Sequence, residues 1–314
     1  MLRSRVSSVR FNPKATIDTS RTKDVGRGSG GGGMSGFPMP SGKGAGGIVG
    51  IIIVLIALFL GGGNSGDILG GGGGGGPQTE TDRYKQCDSG ADANSNADCT
   101  RAAVENSLRD YWEANLENQT GVAFKPAVAI KTFTDAVSTG GCGNASSAVG
   151  PFYCPLDQTI YLDSTFFEDV LEGQLGGQGG AFVEPYVLGH EYGHHIQNLL
   201  GTMGKVKTQQ GPKSDAVRLE LQADCYAGMW TKGATTTKDD AGNVLITDIS
   251  DQDISEAIDA AKTVGDDRIQ EAGGQQVNPE GWTHGSSAQR IKWFKTGLNA
   301  RSIDSCDTFA TDDL

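Results

Sequence analysis

The chain has only four histidines. Three of them fall in the window His190-Glu191-Tyr192-Gly193-His194-His195. On a helix, the spacing of His190 and His194 stacks both imidazoles on one face, where they can reach the same zinc ion. Glu191 projects beside them, placed to take a proton from a water activated by that ion. His195 points about 100° away around the helix and has no place at the metal. A catalytic zinc takes three protein ligands and leaves one position open. The chemistry to expect is metal-assisted hydrolysis.

The third ligand has to come from elsewhere. The continuation His-x-x-Gly-x-x-His is absent, because Gln197 and Leu200 stand where it needs Gly and His. A second helical segment carries Glu220-Leu221-Gln222-Ala223-Asp224. Two carboxylates one turn apart on an otherwise apolar face are costly unless paired or metal-bound. Glu220 is read as the third ligand and Asp224 as the partner that fixes the tautomer of a ligand histidine. Asp224 as the ligand remains an alternative, and Cys225 is better used in a disulfide. The fourth histidine, His284, precedes a last helix that carries Arg290. Both are candidates to stabilise a developing oxyanion, with Tyr161 and Tyr186 as alternatives.

These residues need rigid elements. Helical spacing predicts helices over 100–118, 182–200, 214–231, 251–264 and 286–297, the last with Ser286 or Ser287 as N-cap. Strands are expected over 127–133 and 159–162. Gly189 and Gly193 leave one side of the histidine helix bare for close approach by another backbone. The order reads as α+β, strands early and helices late.

The start of the chain has a different composition. Of 48 glycines in 314 residues, 23 lie between Gly26 and Gly76. Residues 1–43 hold eight Lys or Arg against two Asp, whereas the remainder is strongly acidic. An acidic body excludes nucleic acid as its partner. Residues 48–60 read IVGIIIVLIALFL, and no charge occurs between Lys43 and Asp67. The expected layout is a disordered basic cytoplasmic segment (1–43), a single transmembrane anchor (44–63), a Gly-rich tether (64–80) and an extracytoplasmic domain (81–314). All six cysteines follow the apolar run. Short loops favour the pairs Cys87–Cys99 and Cys142–Cys154, leaving Cys225–Cys306.

The segments HEYGHHIQ, RLELQADCYAG and THGSSAQRIKWF together resemble the bacterial putative neutral zinc metallopeptidase family. The resemblance runs from the apolar segment almost to the C-terminus. It implies a zincin-like fold anchored in the inner (cytoplasmic) membrane, with zinc on His190, His194 and Glu220, Glu191 as base and Asp224 behind the ligands. His284 and Arg290 occupy a place like the His-Pro-Ser…Arg segment of a related membrane metalloprotease family, with Gly285 standing where that family has proline. The expected partner is a peptide or protein substrate. A zinc-stabilised scaffold module and a cell-wall peptide amidase are the alternative readings.

Overall fold

Side-chain caps set most of the helix boundaries. The computed structural model describes residues 9–28 and 79–314. After the strands β1 (Arg10–Phe11) and β2 (Thr22–Arg27) come a short helix α1 (Gly90–Ala93) and the long α2 (Ala97–Thr120). Asn96 caps α2 by accepting from the Asp98 amide, and Gly121 ends it in the left-handed region at φ 73°. The strands β3 (Ala129–Thr134), β4 (Ala136–Ser138), β5 (Asn144–Ser146), β6 (Phe152–Cys154) and β7 (Thr159–Asp163) follow, then a π-helical turn at Phe167–Glu172.

The second half is helical. It comprises α3 (Val183–Leu199), α4 (Asp215–Gly233), the strand β8 (Ile246–Asp248), α5 (Asp251–Thr263), α6 (Asp266–Ala272) and α7 (Ser287–Asn299). Ser214, Ser250 and Ser286 cap α4, α5 and α7 through their hydroxyls. The architecture is mixed α and β, and the predicted helices lie close to the observed bounds.

The main sheet runs β2-β3-β7-β6. Its β2–β3 and β3–β7 pairs are parallel, and β6 closes it antiparallel to β7. Side chains alternate as strand geometry requires. Ile130, Ile160 and Leu162 face the main core with α2 and α3, while Phe133 and Tyr161 face a second cluster with Val137 and Ala145. All three disulfides pair as expected: Cys87–Cys99, Cys142–Cys154 and Cys225–Cys306. They suggest an extracytoplasmic domain.

The expectation of disorder over residues 1–43 is corrected for residues 9–28. Val9, Phe11, Ala15 and Ile17 are buried in the main core, and Val25 in the second cluster. β1 pairs with β8, and β2 forms an edge of the main sheet. Asp24 holds β2 in place by accepting from Thr132 and Thr81 hydroxyls at 2.7 Å each and from Arg83 at 3.2 Å. Lys23 and Arg27 pair with Glu80 and Asp135, and the segment's five buried apolar residues outweigh the glycine-rich composition next to it.

The first described stretch ends at Gly28 and the second begins at Thr79. The Thr81 amide donates to the Asp24 carbonyl at 2.8 Å, so the two points are close together. The expected anchor (44–63) and all but the end of the expected tether (64–80) lie outside the described residues. Among the described residues, no helix is long and apolar enough to cross a membrane. A single crossing between 28 and 79 would put β2 and β3 on opposite sides. The cytoplasmic placement of residues 9–28 is therefore corrected: they share the side of the domain.

Candidate metal centre

Two helices bring the candidate metal-ligating side chains together. α3 begins without a side-chain cap of its own; the Phe182 amide instead donates to Glu256 of α5 at 2.9 Å. Pro185 sits in the first turn, where its missing N–H costs nothing. Glu184 pairs with the buried Arg101 of α2. α4 crosses α3 where glycine has no side chain. A Cβ on Gly193 would stand 3.0 Å from the Ala223 carbonyl oxygen, and one on Gly189 3.2 Å from the Trp230 ring.

α4 in turn presses against α7 at two glycines. A Cβ on Gly228 would lie 2.2 Å from the Phe294 carbonyl oxygen, and one on Gly297 2.0 Å from that of Cys225. Neither contact tolerates a side chain. The Cys225–Cys306 bridge fixes the same part of α4 to the C-terminal region.

This crossing sets His190, His194 and Glu220 around one point. His190 Nε2 is 3.2 Å from Glu220 Oε2, and His194 Nε2 is 3.5 Å from Glu220 Oε1. One ligand atom from each residue lies within 4.8 Å of the others. Tetrahedral ligands at ~2.0–2.1 Å from zinc stand roughly 3.3–3.4 Å apart, close to the two histidine–glutamate separations, so the donor set is of the kind that could hold such an ion. All three residues are buried. Burial alone would raise the Glu220 carboxyl, but the imidazoles of His194, His284 and His190 outweigh it and hold it well below its ordinary value. The carboxylate is thus ionised and available to a cation.

Each ligand histidine is oriented from behind. His190 Nδ1 lies 2.8 Å from Asp224 Oδ1. Asp224 is fully buried and also accepts from Tyr186 at 2.6 Å and from Arg290 at 2.8 and 2.9 Å. His194 Nδ1 lies 2.8 Å from Gln197 Oε1, whose amide donates to the Leu219 carbonyl at 2.7 Å. Burial pulls the His190 imidazole down, but Asp224 and Glu220 outweigh it and raise it to about 9; once a cation displaces the Nε2 protons, donation from both Nδ1 atoms leaves both Nε2 lone pairs facing the common point.

Glu191 lines the same cavity as the three ligands. Burial pushes its carboxyl up, opposed by the two histidines. His284 lines the cavity too. Its backbone is set by Asp266, which accepts the amides of Thr283, His284 and Gly285 at 2.7, 2.7 and 2.9 Å. Gly285 donates an N–H and adopts φ +91°, so proline would fail here on both counts. Burial pulls the His284 imidazole down, but Glu220 and Asp266 outweigh it and hold it above its ordinary value.

Arg290 differs from its expected use. Its guanidinium is engaged by Asp224 and by the Val264 carbonyl at 3.2 Å. It braces the residue that orients His190 instead of standing free for an oxyanion. His195 is buried away from the metal, between the Tyr153 hydroxyl at 2.9 Å and the Lys125 carbonyl at 2.7 Å. Burial lowers it to about 4, so it stays neutral with Nε2 as donor.

Three contributors escaped the sequence reading. Gln197 sits one turn after His194, a spacing that could have flagged it. Asp266 and Tyr186-to-Asp224 depend on tertiary contacts that no local pattern signals.

A model of the family described as "putative neutral zinc metallopeptidase" matches residues 11–309. The chain belongs to this family. The match begins within β1, so the family's own span includes the N-terminal strands. The uncharacterized protein Rv2575 of Mycobacterium tuberculosis is 48% identical over 231 residues, covering 73% of this chain and 76% of the relative. The uncharacterized protein YpfJ of Escherichia coli K12 is 35% identical over 300 residues, covering 93% of this chain and 96% of the relative. No solved structure matches the chain. The family's description names zinc, and His190, His194 and Glu220 form a cluster that could hold a metal ion.

Proposed function

We propose that the protein is an extracytoplasmic zinc-dependent peptidase acting on peptide or protein substrates. One observation supports this reading: ligand atoms of two histidines and one glutamate converge within 4.8 Å of one another, with Glu191 lining the same cavity. His190, His194 and Glu220 hold the ion. Bound zinc supplies Lewis acidity, lowering the pKa of a coordinated water to about 7 and polarising a carbonyl. Glu191 takes a proton and returns it to the leaving amine. His284 donates to the oxygen on which negative charge develops. Asp224, braced by Arg290 and Tyr186, keeps His190 in its productive tautomer, and Gln197 does the same for His194.

Membrane attachment is proposed through the apolar run at 48–60. A Lys14→Cys variant, exposed on the body, tests whether residues 9–28 lie on the extracytoplasmic side. It should react with a membrane-impermeant thiol reagent in intact cells; protection until lysis would refute the placement.

The catalytic test compares wild type, Glu191→Gln and Glu220→Ala on unstructured peptides and purified muropeptides. Glu191→Gln should retain zinc and lose cleavage by about 10²–10⁴-fold. Glu220→Ala should lose zinc affinity. Undiminished cleavage by Glu191→Gln would sink the mechanism, and cleavage of muropeptides alone would favour the amidase reading.

A further inference from the structure

The three ligand residues supply only part of the lining of their cavity. Much of the remainder is apolar and comes from separate elements. Val149 ends the short 3-10 helix Ser147–Val149 before β6, Phe166, Val170 and Leu175 lie in and around the π-helical turn, and Ile269 lies on α6. Val187 completes it from α3, one turn before His190 and Glu191, and so joins the apolar wall directly to the chemistry. The charged residues lining this space are those of the metal site itself, and Arg290 among them is committed to Asp224. The cavity measures about 110 Å³.

From this we infer that the cavity is a specificity pocket for a branched aliphatic side chain next to the scissile bond. The inference rests on the peptidase reading and adds the substrate class. Size and polarity both select. The 110 Å³ covers the whole cavity, the space before the ligands included; set against the roughly 150 Å³ that accepts benzene, the apolar part takes at most a leucine, isoleucine or valine side chain and no indole. A charged side chain would enter without a partner and lose its hydration. Filling a pocket of this kind is typically worth about tenfold to two-hundredfold in discrimination per methylene-scale difference.

The wall is also built to hold its shape. Gly150 has φ +75°, and a Cβ there would stand 3.1 Å from the Phe166 ring, so the loop and the ring are in contact at the rim. Leu171 of the π-helical turn is fully buried in the main core, which fixes Val170 beside it.

Amino-acid hydroxamates bound to the zinc-loaded full chain test the pocket without requiring turnover. Each carries the same metal-binding group and differs in side chain. Measured by calorimetry, leucine hydroxamate should bind at least tenfold tighter than glycine hydroxamate, while the tryptophan and aspartate compounds should gain nothing over glycine. Val170→Trp should fill the space and bring the ratio of leucine to glycine hydroxamate affinity to about one. Leu175→Ala should enlarge it and admit the tryptophan compound. Binding without side-chain discrimination, or a leucine advantage that survives Val170→Trp, would overturn the pocket alone. Failure of every hydroxamate, glycine included, would overturn the peptidase reading and the pocket with it.

Discussion

Asp224 carries more of the site than any ligand does, and its replacement by asparagine separates stability from metal binding. The carboxylate receives Tyr186, His190 and two nitrogens of Arg290, all within 2.6–2.9 Å. It has no exposure to water that could compensate a loss. An asparagine side chain would keep the shape but turn one acceptor into a donor that faces other donors. The guanidinium of Arg290, also buried, would lose its counter-charge. Removing one partner of such a pair typically costs about 3–5 kcal/mol, because the other charge stays buried and alone. For a unit of this size each kcal/mol moves the melting temperature by roughly 2–4 °C, so Asp224→Asn should melt roughly 6–20 °C lower. Zinc affinity should fall by about 10–100-fold, since His190 loses its acceptor. Adding Arg290→Met removes the stranded charge. The double variant should regain much of the lost stability yet keep the weak zinc binding. Thermal unfolding with the metal chelated gives the first quantity, and competition with a chromophoric chelator gives the second. A single variant that melts within about 2 °C of wild type, or a double variant that recovers zinc affinity, would refute the reasoning.

Other outcomes follow from the same contacts. Gly297→Ala gains helix propensity worth up to about 1 kcal/mol, yet its Cβ would meet the Cys225 carbonyl at 2.0 Å; chemical denaturation should show a net loss of about 1–3 kcal/mol. Replacing Cys225 and Cys306 together by serine opens a bridge spanning 81 residues; the unfolded chain gains freedom worth about 4–5 kcal/mol, readable as a lower denaturation midpoint. Burial pushes the Glu105 carboxyl from 4.5 up to about 7. Its folded form thus holds a proton that the unfolded form releases first. The resulting stability is fully present below pH 4.5 and declines as pH rises to about 7, by roughly 3 kcal/mol. Glu105→Gln should flatten that slope in denaturation measured from pH 4 to 8, and an unchanged slope would assign it to other groups.

The catalytic helix was legible because its signal is local. His190 and His194 announce themselves by spacing, and Ser214 and Ser286 by standing just before periodic apolar runs. Glu220 and Asp224 were readable because two acids on an apolar face need an explanation. Arg290 was located but its use was not, because a guanidinium's partner is chosen in three dimensions. Asp266 was invisible for the same reason: it acts on three backbone amides across a turn that lies about seventeen residues further along the chain. The N-terminal strands were misread for a different cause. Composition averages over a window, and five apolar side chains in residues 9–28 vanished beside the glycine-rich stretch that follows. A parallel strand such as β2 also has no nearby partner in sequence, since its neighbour β3 begins at Ala129.

That distant pairing makes chain continuity dispensable in one place. The pieces 9–28 and 79–314 are joined by β-ladder hydrogen bonds, by the Asp24–Arg83 ion pair and by Phe11 and Ile17 in the core. A cut anywhere between Gly28 and Thr79 would sever the polypeptide and leave all of these contacts in place. The product would be a two-fragment complex, held without a covalent link, in which the short fragment supplies an edge strand. Conversely, an expression fragment starting at Thr79 would leave β3 with an open parallel edge and a gap where Phe11 and Ile17 had packed. Such a fragment invites association with another chain through the exposed edge. Supplying residues 9–28 as a separate peptide would be the natural remedy.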